Sequence, residues 1–220
     1  MTAKLAVFDC DGTLVDSQAD VLWAMARAFE QAAQPQPDPA RVRRMVGLSL
    51  PVAIRELAPE APEATQSDLT QFYKTAFRGR REQGLLEEPL YDGIADLLRA
   101  LHRDGWLLAV ATGKSDRGLK ACLASHELID LFVSLQTADR HPSKPHPAML
   151  EAALVEAGVD AGDAVMIGDT SYDIRMGQSA HVRTIGVAWG YHSPAELRSC
   201  EADVIVDDVA ALHKELERWG

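Results

Sequence analysis

Two acidic side chains stand at the end of the first apolar run of this sequence. The segment KLAVFD ends at Asp9, and Asp11 follows two residues later, directly before Gly12. Because successive residues of a strand point to opposite faces, Asp9 and Asp11 project to one side while Cys10 points towards the interior. Paired carboxylates are costly without a metal ion or another partner, and Gly12 lets the backbone turn so that its amides approach an anion. The segment therefore predicts a place where a phosphate group and a divalent cation meet.

Further polar residues stand where later apolar runs end. The run WLLAVAT ends at Thr112 and is followed by Gly113. The run AVMIGD ends at Asp169, and Asp173 follows four residues later. Lys144 lies in SKPHP, whose prolines stiffen the loop and so could aim the ammonium group. Ligands of an open parallel sheet bind beyond the carboxyl ends of its strands, so we expect these residues to converge on one edge of a sheet.

The residue types fit phosphoryl transfer. As a carboxylate nucleophile, Asp9 would attack phosphorus and form an aspartyl phosphate, which splits a difficult displacement into two easier ones. Asp11 is placed to protonate the leaving oxygen and later to deprotonate water. Acids gathered around one site repel each other, so a hard cation such as Mg²⁺, which prefers oxygen ligands, is the expected cofactor. Asp169 is the best further ligand for this cation, beside Asp9 and Asp11.

The negatively charged phosphate oxygens are stabilised by positive groups and hydrogen-bond donors. The Thr112 hydroxyl, the amides around Gly113 at a helix N-terminus and the Lys144 charge are predicted to hold them as negative charge shifts. Asp173 lies four residues after Asp169, so both can face the site from adjacent helical positions. We expect Asp173 to support the site, with the alternative that it is only an acid at the start of a helix.

Length, composition and charge bound the class of protein. The 220 residues, 47% apolar and 25% charged, are enough for one domain with an insert or for two small domains. The net charge of -11 argues against a nucleic-acid partner, and the expected partner is a small phosphorylated metabolite. No stretch approaches the about 20 apolar residues of a membrane span, and no signal peptide precedes the first strand, so we expect a cytoplasmic protein without a membrane partner.

Three widely spaced cysteines favour reduced thiols. The sequence makes no prediction of oligomeric state.

Short apolar runs alternate with helical patterns along most of the chain. Such runs predict the strands of a parallel sheet covered on both faces, so the expected fold is α/β with a doubly wound, Rossmann-like core. The stretch from 16 to 88 has helical patterns only, interrupted by proline-rich joints. We therefore expect a core domain of residues 1–15 and 89–220, with an inserted all-helical cap domain of residues 16–88. Trp23, Phe72 and Phe77 are expected in the core of that cap.

Taken in order, these motifs resemble those of a known family. The pattern DxDGT, a strand ending in Thr or Ser, a Lys and then GDxxxD is similar to that of haloacid-dehalogenase-superfamily phosphatases with a small helical cap inserted after the first strand. The resemblance spans nearly the whole chain, and VAWGYHSPAEL and SKPHP look most like phosphoglycolate-phosphatase-type members. It implies that Asp9 is the nucleophile, that Asp11 is the acid/base and gives its backbone carbonyl to the metal, and that Asp169 is a metal ligand. The matching residues are Asp9, Asp11, Thr112, Lys144, Asp169 and Asp173.

Several alternatives to a phosphatase differ from this sequence at particular residues. Resembling dehalogenases lack the acid that is Asp11 here and need no metal. A sugar-phosphate mutase or phosphotransferase of the same superfamily retains both acids but carries a hinge His in a DTxxxH setting, where Val21 stands here in DSQADV. A phosphonate hydrolase uses a cap lysine, and the only one here, Lys74, is set well away from the hinge. A non-catalytic binding module should lose a nucleophile or a metal-binding acid, and neither is lost. The expected activity is Mg-dependent hydrolysis of a small phosphomonoester, phosphoglycolate-like by resemblance.

Polar residues outside these motifs receive separate interpretations. Gly47 and Ser49, in the VGLSL turn of the cap, are predicted to face the active site and to influence substrate specificity. His141, His146 and His192 are more often polar loop residues than catalysts. Selectivity among phosphomonoesters depends on the orientation of the cap helices, which the sequence does not fix.

Overall fold

The computed structural model describes residues 3–219 of the chain. The strands within that range are β1 (Leu5–Phe8), β2 (Leu107–Thr112), β3 (Phe132–Thr137), β4 (Ala164–Gly168), β5 (Arg183–Val187) and β6 (Val204–Val206). The helices in the same range are α1 (Gln18–Gln31), α2 (Pro39–Met45), α3 (Leu50–Leu57), α4 (Glu63–Glu82), α5 (Ile94–Arg103), α6 (Asp116–Ser125), α7 (Ala148–Ala157), α8 (Ser171–Ser179), α9 (Pro194–Ser199) and α10 (Val209–Trp219). None of these described helices is both long and apolar enough to cross a membrane.

The strands form one parallel sheet in the order β3-β2-β1-β4-β5-β6. Helices separate consecutive strands in the sequence, which is the arrangement of a doubly wound α/β fold. The prediction of fold class from the alternating apolar runs is therefore confirmed.

The side chains of β1 explain how the sheet is covered on both faces. Leu5 and Val7 share an apolar cluster with α7 and α8. Ala6 and Phe8 share another with α5, α6 and α10. All four side chains are completely buried. Burial of a side chain such as Leu5, Val7 or Phe8 stabilises the fold by roughly 1.5–3 kcal/mol relative to its exposure to water. A strand buried on both faces requires continuous apolar residues, which the sequence of β1 supplies.

The strand order places three strand ends side by side. β1 lies between β2 and β4, and Phe8 is the register partner of Val110 and of Ile167. The amide of Asp9 donates to the Ile167 carbonyl at 2.9 Å, which anchors this residue just beyond the strand. The direction of winding reverses between β1 and β4, and ligands of open α/β sheets bind at such a point.

The helices α1 to α4 lie within the predicted cap, residues 16–88. Pro39 and Pro51 occupy the first turns of α2 and α3, where a missing backbone N–H removes no helical hydrogen bond. The Asp38 side chain caps α2 by accepting from the Ala40 amide at 2.8 Å. The division of the chain into core and cap stays a prediction. The helices share an apolar cluster whose buried members are Met25, Ala28, Phe29, Val42, Ile54, Leu57 and Leu69.

Trp23 is an exception among the residues predicted for the cap core. It is 38% exposed, and the guanidinium of Arg80 lies 4.8 Å from its ring centroid. The buried face of α1 carries Met25 and Phe29, four residues apart, and Trp23 precedes Met25 by two positions, so it points elsewhere. The prediction for Trp23 is wrong because helical phase, and not side-chain type, decides burial here. Phe77 is partly buried.

Two backbone segments connect α1–α4 with the sheet, and they run side by side. The Asp16 amide donates to the Pro89 carbonyl at 2.9 Å, and the Tyr91 amide donates to the Leu14 carbonyl at 3.1 Å. A movement of α1–α4 relative to the sheet would therefore bend these two hydrogen-bonded segments.

Candidate active site

Asp9 lies immediately beyond β1 and is completely buried. Its Oδ1 accepts from the Cys10 amide at 2.6 Å and lies 2.9 Å from Nζ of Lys144. Within residues 3–219, no group donates a hydrogen bond to its other oxygen, Oδ2. Burial raises the pKa of Asp9 to about 7, with the charge of Lys144 opposing the shift and that of Asp173 adding to it. A buried carboxylate oxygen without a donor is an atom that a cation or an electrophilic phosphorus can engage.

Lys144 provides the positive charge of this cluster. The loop before α7 carries it into the interior, where its Nζ lies 2.6 Å from Oδ1 of Asp173 and 2.9 Å from Oδ1 of Asp9. Burial by itself lowers the pKa of Lys144, but the charges of Asp173 and Asp9 outweigh burial and raise it. The ammonium therefore stays protonated and joins the two carboxylates. Removing one member of this buried group would leave an uncompensated charge.

Asp169 follows β4 directly and is also completely buried. Its Oδ1 accepts from the Thr13 hydroxyl at 2.9 Å, and its Oδ2 accepts from the Tyr191 amide at 2.8 Å. Burial raises the pKa of Asp169 well above its usual range, and the negative charges of Asp173 and Asp9 add to this effect. The carboxylate is thus fixed in orientation by two donors while it repels the neighbouring acids.

Asp173 stands in the first turn of α8 and has two structural contacts besides Lys144. It forms a capping box with Thr170, whose amide and hydroxyl donate to Asp173 Oδ2 at 3.0 and 2.7 Å. An added Cβ at Gly168 would lie 2.3 Å from the Asp173 carboxyl carbon, so the strand end must be glycine for the carboxylate to fit. Asp173 therefore caps a helix and orients Lys144 at the same time.

Carboxylate oxygens of Asp9, Asp169 and Asp173 lie within 4.8 Å of one another. Both oxygens of Asp173 are engaged by protein donors, whereas Oδ2 of Asp9 has none among the described residues. Buried carboxylates that repel each other form a donor set that fits a hard divalent cation such as Mg²⁺. The cluster includes the predicted ligands Asp9 and Asp169, and the share of Asp11 in a metal site stays a prediction.

Asp11 lines a cavity next to this cluster. Its Oδ1 accepts a hydrogen bond from the Ser17 hydroxyl and lies 2.7 Å from Nζ of Lys114. Lys114 also contacts Oε1 of Glu88 at 2.6 Å. Burial by itself lowers the pKa of Lys114, but the carboxylates of Asp11 and Glu88 raise it well above its usual range. Salt bridges therefore hold the predicted acid/base, Asp11, and connect it through Lys114 to Glu88 in the segment after α4.

Ser17 and Lys114, which contact Asp11, and Glu88, which pairs with Lys114, are not among the predicted site residues. Lys114 stands two residues after Thr112, so its place just beyond a strand end was a usable signal. Glu88 precedes Lys114 by 26 residues, and no local pattern predicts that the two side chains pair. Ser17 has the appearance of an ordinary helix cap, although its hydroxyl binds Asp11.

The end of β2 meets the helical part of the chain at Gly113. A Cβ atom there would lie 2.5 Å from the Leu48 carbonyl oxygen and 2.8 Å from that of Gly47, so glycine is required. Thr112 is buried, and its hydroxyl accepts from the Lys114 amide at 3.3 Å. The two strand-end residues predicted to bind phosphate thus lie directly beneath the turn that contains Gly47.

Gly47 and Ser49 lie close to Thr170 and Ser143, which follow β4 and β3 in the chain. Gly47 has φ +95°, in the left-handed region that favours glycine, and a Cβ there would lie 3.2 Å from Oγ1 of Thr170. The Ser49 amide donates to the Ser143 hydroxyl oxygen at 2.8 Å. Both residues line the same cavity as Asp11. The structure brings them to the site, and their influence on specificity stays a prediction.

The cavity has a volume of about 370 Å³ and lies between α1–α4 and the ends of β1 and β2. Its lining includes Asp11, Gly113 and Lys114 on the sheet side. Val21 and Lys74 belong to the helical part of the lining. The position at which the related mutases carry a hinge His is therefore occupied by an apolar side chain that faces the cavity.

His192 connects the start of α8 to α2. Its Nδ1 accepts from the Ser171 amide at 3.1 Å, and its Nε2 lies 3.1 Å from the Arg44 carbonyl oxygen. The Tyr172 hydroxyl donates to the same carbonyl at 3.1 Å, and the Arg44 guanidinium lies 2.6 Å from Glu196. These contacts join the predicted cap to the predicted core through the C-terminal end of α2.

His141 and His146 bond to groups close to them in the sequence. The Nε2 atom of His141 lies 2.8 Å from Oε1 of Gln136, and burial lowers the pKa of this histidine, with the charge of Arg140 adding to the effect. The Nδ1 atom of His146 accepts from the Ala148 amide at 3.2 Å. Both contacts are those of polar residues that order a loop.

This chain is similar to known proteins over nearly its whole length. The model of a family described as haloacid dehalogenase-like hydrolase matches residues 6–187. The protein named "Probable phosphatase IndB" of Dickeya dadantii is 36% identical over 223 residues, covering 97% of this chain and 95% of that protein. The phosphoglycolate phosphatase of Vibrio cholerae is 28% identical over 221 residues, covering 95% of both. A solved structure of a predicted phosphatase from Clostridium acetobutylicum has a TM-score of 0.89 and 27% identity, covering 99% of this chain and 100% of that one.

The chain belongs to the haloacid dehalogenase-like hydrolase family, because the family model matches most of its 220 residues. The predictions of this family, of its α/β fold and of a phosphatase are confirmed at this level. The roles assigned to single residues and the boundaries between core and cap stay predictions.

Proposed function

We propose that this protein is a Mg²⁺-dependent phosphomonoesterase that works through an aspartyl phosphate on Asp9. The observation that carries the proposal is the state of the Asp9 carboxylate. It is buried, its Oδ2 has no donor among residues 3–219, and its Oδ1 lies 2.9 Å from Nζ of Lys144. One of its oxygens lies within 4.8 Å of an oxygen of Asp169. A carboxylate held this way is oriented for attack, and the Lys144 ammonium beside it supplies a positive charge for the phosphate oxygens.

In the first step, an oxygen of Asp9 attacks phosphorus and the bond from phosphorus to the ester oxygen breaks. Asp11, in its protonated form, gives its proton to the leaving oxygen so that an alcohol departs. In the second step, Asp11 takes a proton from water as that water attacks phosphorus. Orthophosphate is released, and the carboxylate of Asp9 and the protonated Asp11 are regenerated.

Other residues hold the phosphoryl group and keep the acids in place. The Lys144 ammonium, the Thr112 hydroxyl and the amides around Gly113 bind its oxygens as charge builds up. Asp9 and Asp169 would hold Mg²⁺, which when bound offsets the repulsion between the acids and the incoming phosphate. Lys114 keeps the Asp11 carboxylate in place through a contact of 2.7 Å.

The substrate is a small phosphorylated metabolite, and the protein is proposed to act in the cytoplasm. Relatives named phosphoglycolate phosphatase, such as that of Vibrio cholerae, support a phosphoglycolate-like ester as the starting hypothesis.

Phosphate release from a panel of phosphomonoesters with Mg²⁺ tests this proposal. The panel contains 2-phosphoglycolate, sugar phosphates, nucleoside 5′-monophosphates and p-nitrophenyl phosphate. We expect turnover that stops with EDTA and falls by at least about a thousandfold in Asp9→Asn, since the amide keeps the shape but not the nucleophile. Asp92→Asn, an exposed acid replaced in the same way, is the control and should keep full activity. Activity retained by Asp9→Asn would refute the mechanism.

A further inference from the structure

The cavity beside Asp11 extends from the polar strand-end residues into a space among the helices. Its volume of about 370 Å³ falls within the range of about 300–1,000 Å³ that is typical of pockets for organic ligands. Asp11, Gly113 and Lys114 belong to its lining. An ester whose phosphate lies at the acidic cluster would therefore place its organic group in this space.

The helical side of this cavity is largely apolar. Tyr73 and Phe77 stack with ring centroids 5.7 Å apart and an angle of 20° between the planes. Burial raises the pKa of the Tyr73 hydroxyl, so this residue stays neutral. A wall of stacked rings and flexible thioethers suits a flat apolar group. The apolar lining from α1 to α4 includes Met25, Val42, Met45, Leu50, Tyr73 and Phe77.

The cations that line the cavity are poorly placed to bind a small carboxylate. Lys114 is already paired with Asp11 and Glu88, and Arg81 is paired with the same Glu88 at 3.0 Å. Lys74, Arg78 and Arg117 are exposed, and charge pairs at exposed positions contribute little. The carboxylate of glycolate would therefore gain little here, whereas an apolar group would be removed from water.

We propose that the natural phosphomonoester carries an organic group larger than glycolate, with an aromatic or comparably flat apolar body that packs against Tyr73 and Phe77. This inference rests on the proposed phosphatase activity and names its substrate class. The phosphate end is bound by the strand-end residues, and the apolar body supplies affinity and selectivity in the helical part of the cavity.

The test compares esters that differ in the organic group but share the type of leaving oxygen. Ethyl phosphate and 2-phenylethyl phosphate are both esters of primary alcohols, and 2-phosphoglycolate represents a small anionic ester. We expect kcat/KM for 2-phenylethyl phosphate to exceed both other values by about tenfold or more, because its ring is buried on binding. p-Nitrophenyl phosphate reports whether the enzyme is chemically competent.

Phe77→Ala and Leu85→Ala form a matched pair of variants. Leu85 is 52% exposed and lies outside the cavity lining. Phe77→Ala should raise KM for 2-phenylethyl phosphate by about tenfold more than it raises KM for ethyl phosphate, because only the phenyl ester loses a ring contact. Leu85→Ala should change neither ester, and a loss shared equally by both esters in Phe77→Ala would contradict the assigned role.

A binding measurement separates this inference from the proposed activity. The two phosphonates 2-phenylethylphosphonate and ethylphosphonate carry no ester bond, and their affinities for the wild-type protein with Mg²⁺ can be compared by calorimetry. We expect the phenyl compound to bind about tenfold more tightly. This preference without hydrolysis of any ester would refute the activity and support the substrate-binding surface. Equal affinities, or the highest kcat/KM with 2-phosphoglycolate, would overturn the inference.

Discussion

The Asp9 carboxylate owes its properties to the residues around it. Its place beyond β1 buries it, Lys144 neutralises part of its charge at 2.9 Å, and Asp173 competes for the same ammonium at 2.6 Å. These opposing effects leave its pKa raised to about 7. A carboxylate that holds its proton to neutral pH without a cation would become fully ionised when a cation binds.

The raised pKa of Asp9 predicts how stability changes with pH in EDTA. The folded protein holds this proton to about pH 7, whereas an unfolded chain releases it near the ordinary value of 3.8. Between these values the folded state binds more protons, so the contribution of Asp9 to stability falls as the pH rises. Asn at this position has no proton to lose. The Tm of Asp9→Asn minus that of the wild type should therefore grow by about 3 °C or more from about pH 5 to about pH 8.

Thermal unfolding of both proteins at several pH values, followed by circular dichroism, measures this difference. Asp92→Asn is the control, since Asp92 is exposed and its replacement should give a curve parallel to that of the wild type. Parallel curves for Asp9→Asn as well would show that Asp9 titrates as an ordinary aspartate.

Lys114 predicts a dependence on the leaving group. Its Nζ lies 2.7 Å from Asp11, the proposed acid. In Lys114→Met that acid loses the contact that orients it, so alkyl phosphates, which need a proton on the leaving oxygen, should lose about a hundredfold in kcat. p-Nitrophenyl phosphate, whose leaving group needs little protonation, should lose much less. Lys120→Met, at an exposed position of α6, is the control. Equal losses for both kinds of ester would assign Lys114 a purely structural role.

The residues that could be predicted from the sequence share a local signal. Asp9, Thr112 and Asp169 each stand at the end of an apolar run, and parallel strands bring such ends together. Glu88 and Lys114 pair across 26 residues and carry no such signal. The pairing depends on how the segment after α4 returns to the sheet, which is decided by tertiary packing.

At the scale of elements, the turn between α2 and α3 closes over the end of β2. Its carbonyl groups at Gly47 and Leu48 would lie 2.8 and 2.5 Å from a Cβ at Gly113. The Ser49 amide donates to the Ser143 hydroxyl oxygen on the loop that carries the buried lysine. The predicted cap therefore contacts two parts of the proposed phosphate site at once.

Gly113→Ala is predicted to disturb this contact. The added methyl group would meet backbone oxygen atoms and push the turn away, so kcat/KM should fall by about tenfold to a hundredfold. Urea unfolding should show a smaller effect, because the apolar clusters are untouched. Gly162→Ala, where nothing lies within 4 Å of an added Cβ, is the matched control. Unchanged kinetics in Gly113→Ala would mean that the turn is free to move during turnover.

The elements of the sheet were more predictable than the arrangement of the helices. The apolar runs KLAVFD, WLLAVAT and AVMIGD contain β1, β2 and β4. The sequence pattern predicts that the cap segment is helical, but it does not predict how these helices pack against the rest of the chain. The contact between the Tyr172 hydroxyl and the Arg44 carbonyl joins residues 128 apart and has no counterpart in a local pattern.

At the scale of the whole molecule, a chain of net charge -11 concentrates buried acids at one edge of its sheet. A cation that binds only the folded state should therefore stabilise the entire fold. With Mg²⁺ at about a hundred times its Kd, we expect Tm to rise by about 5 °C in the wild type and to stay unchanged in Asp169→Asn.

Ca²⁺ should support turnover poorly, because it prefers a larger and looser set of oxygen ligands. Equal turnover with both cations would contradict the proposed site.

The central claim is that Asp9 becomes phosphorylated during turnover, and acid quenching tests it most directly. The wild-type enzyme is mixed with a turned-over phosphomonoester and Mg²⁺, quenched in acid, digested and examined by mass spectrometry. We predict a phosphorylated peptide that contains Asp9, whose label is removed by hydroxylamine and is absent with EDTA or in Asp9→Asn. Steady turnover with no label at Asp9, or a label on another residue, would contradict the account.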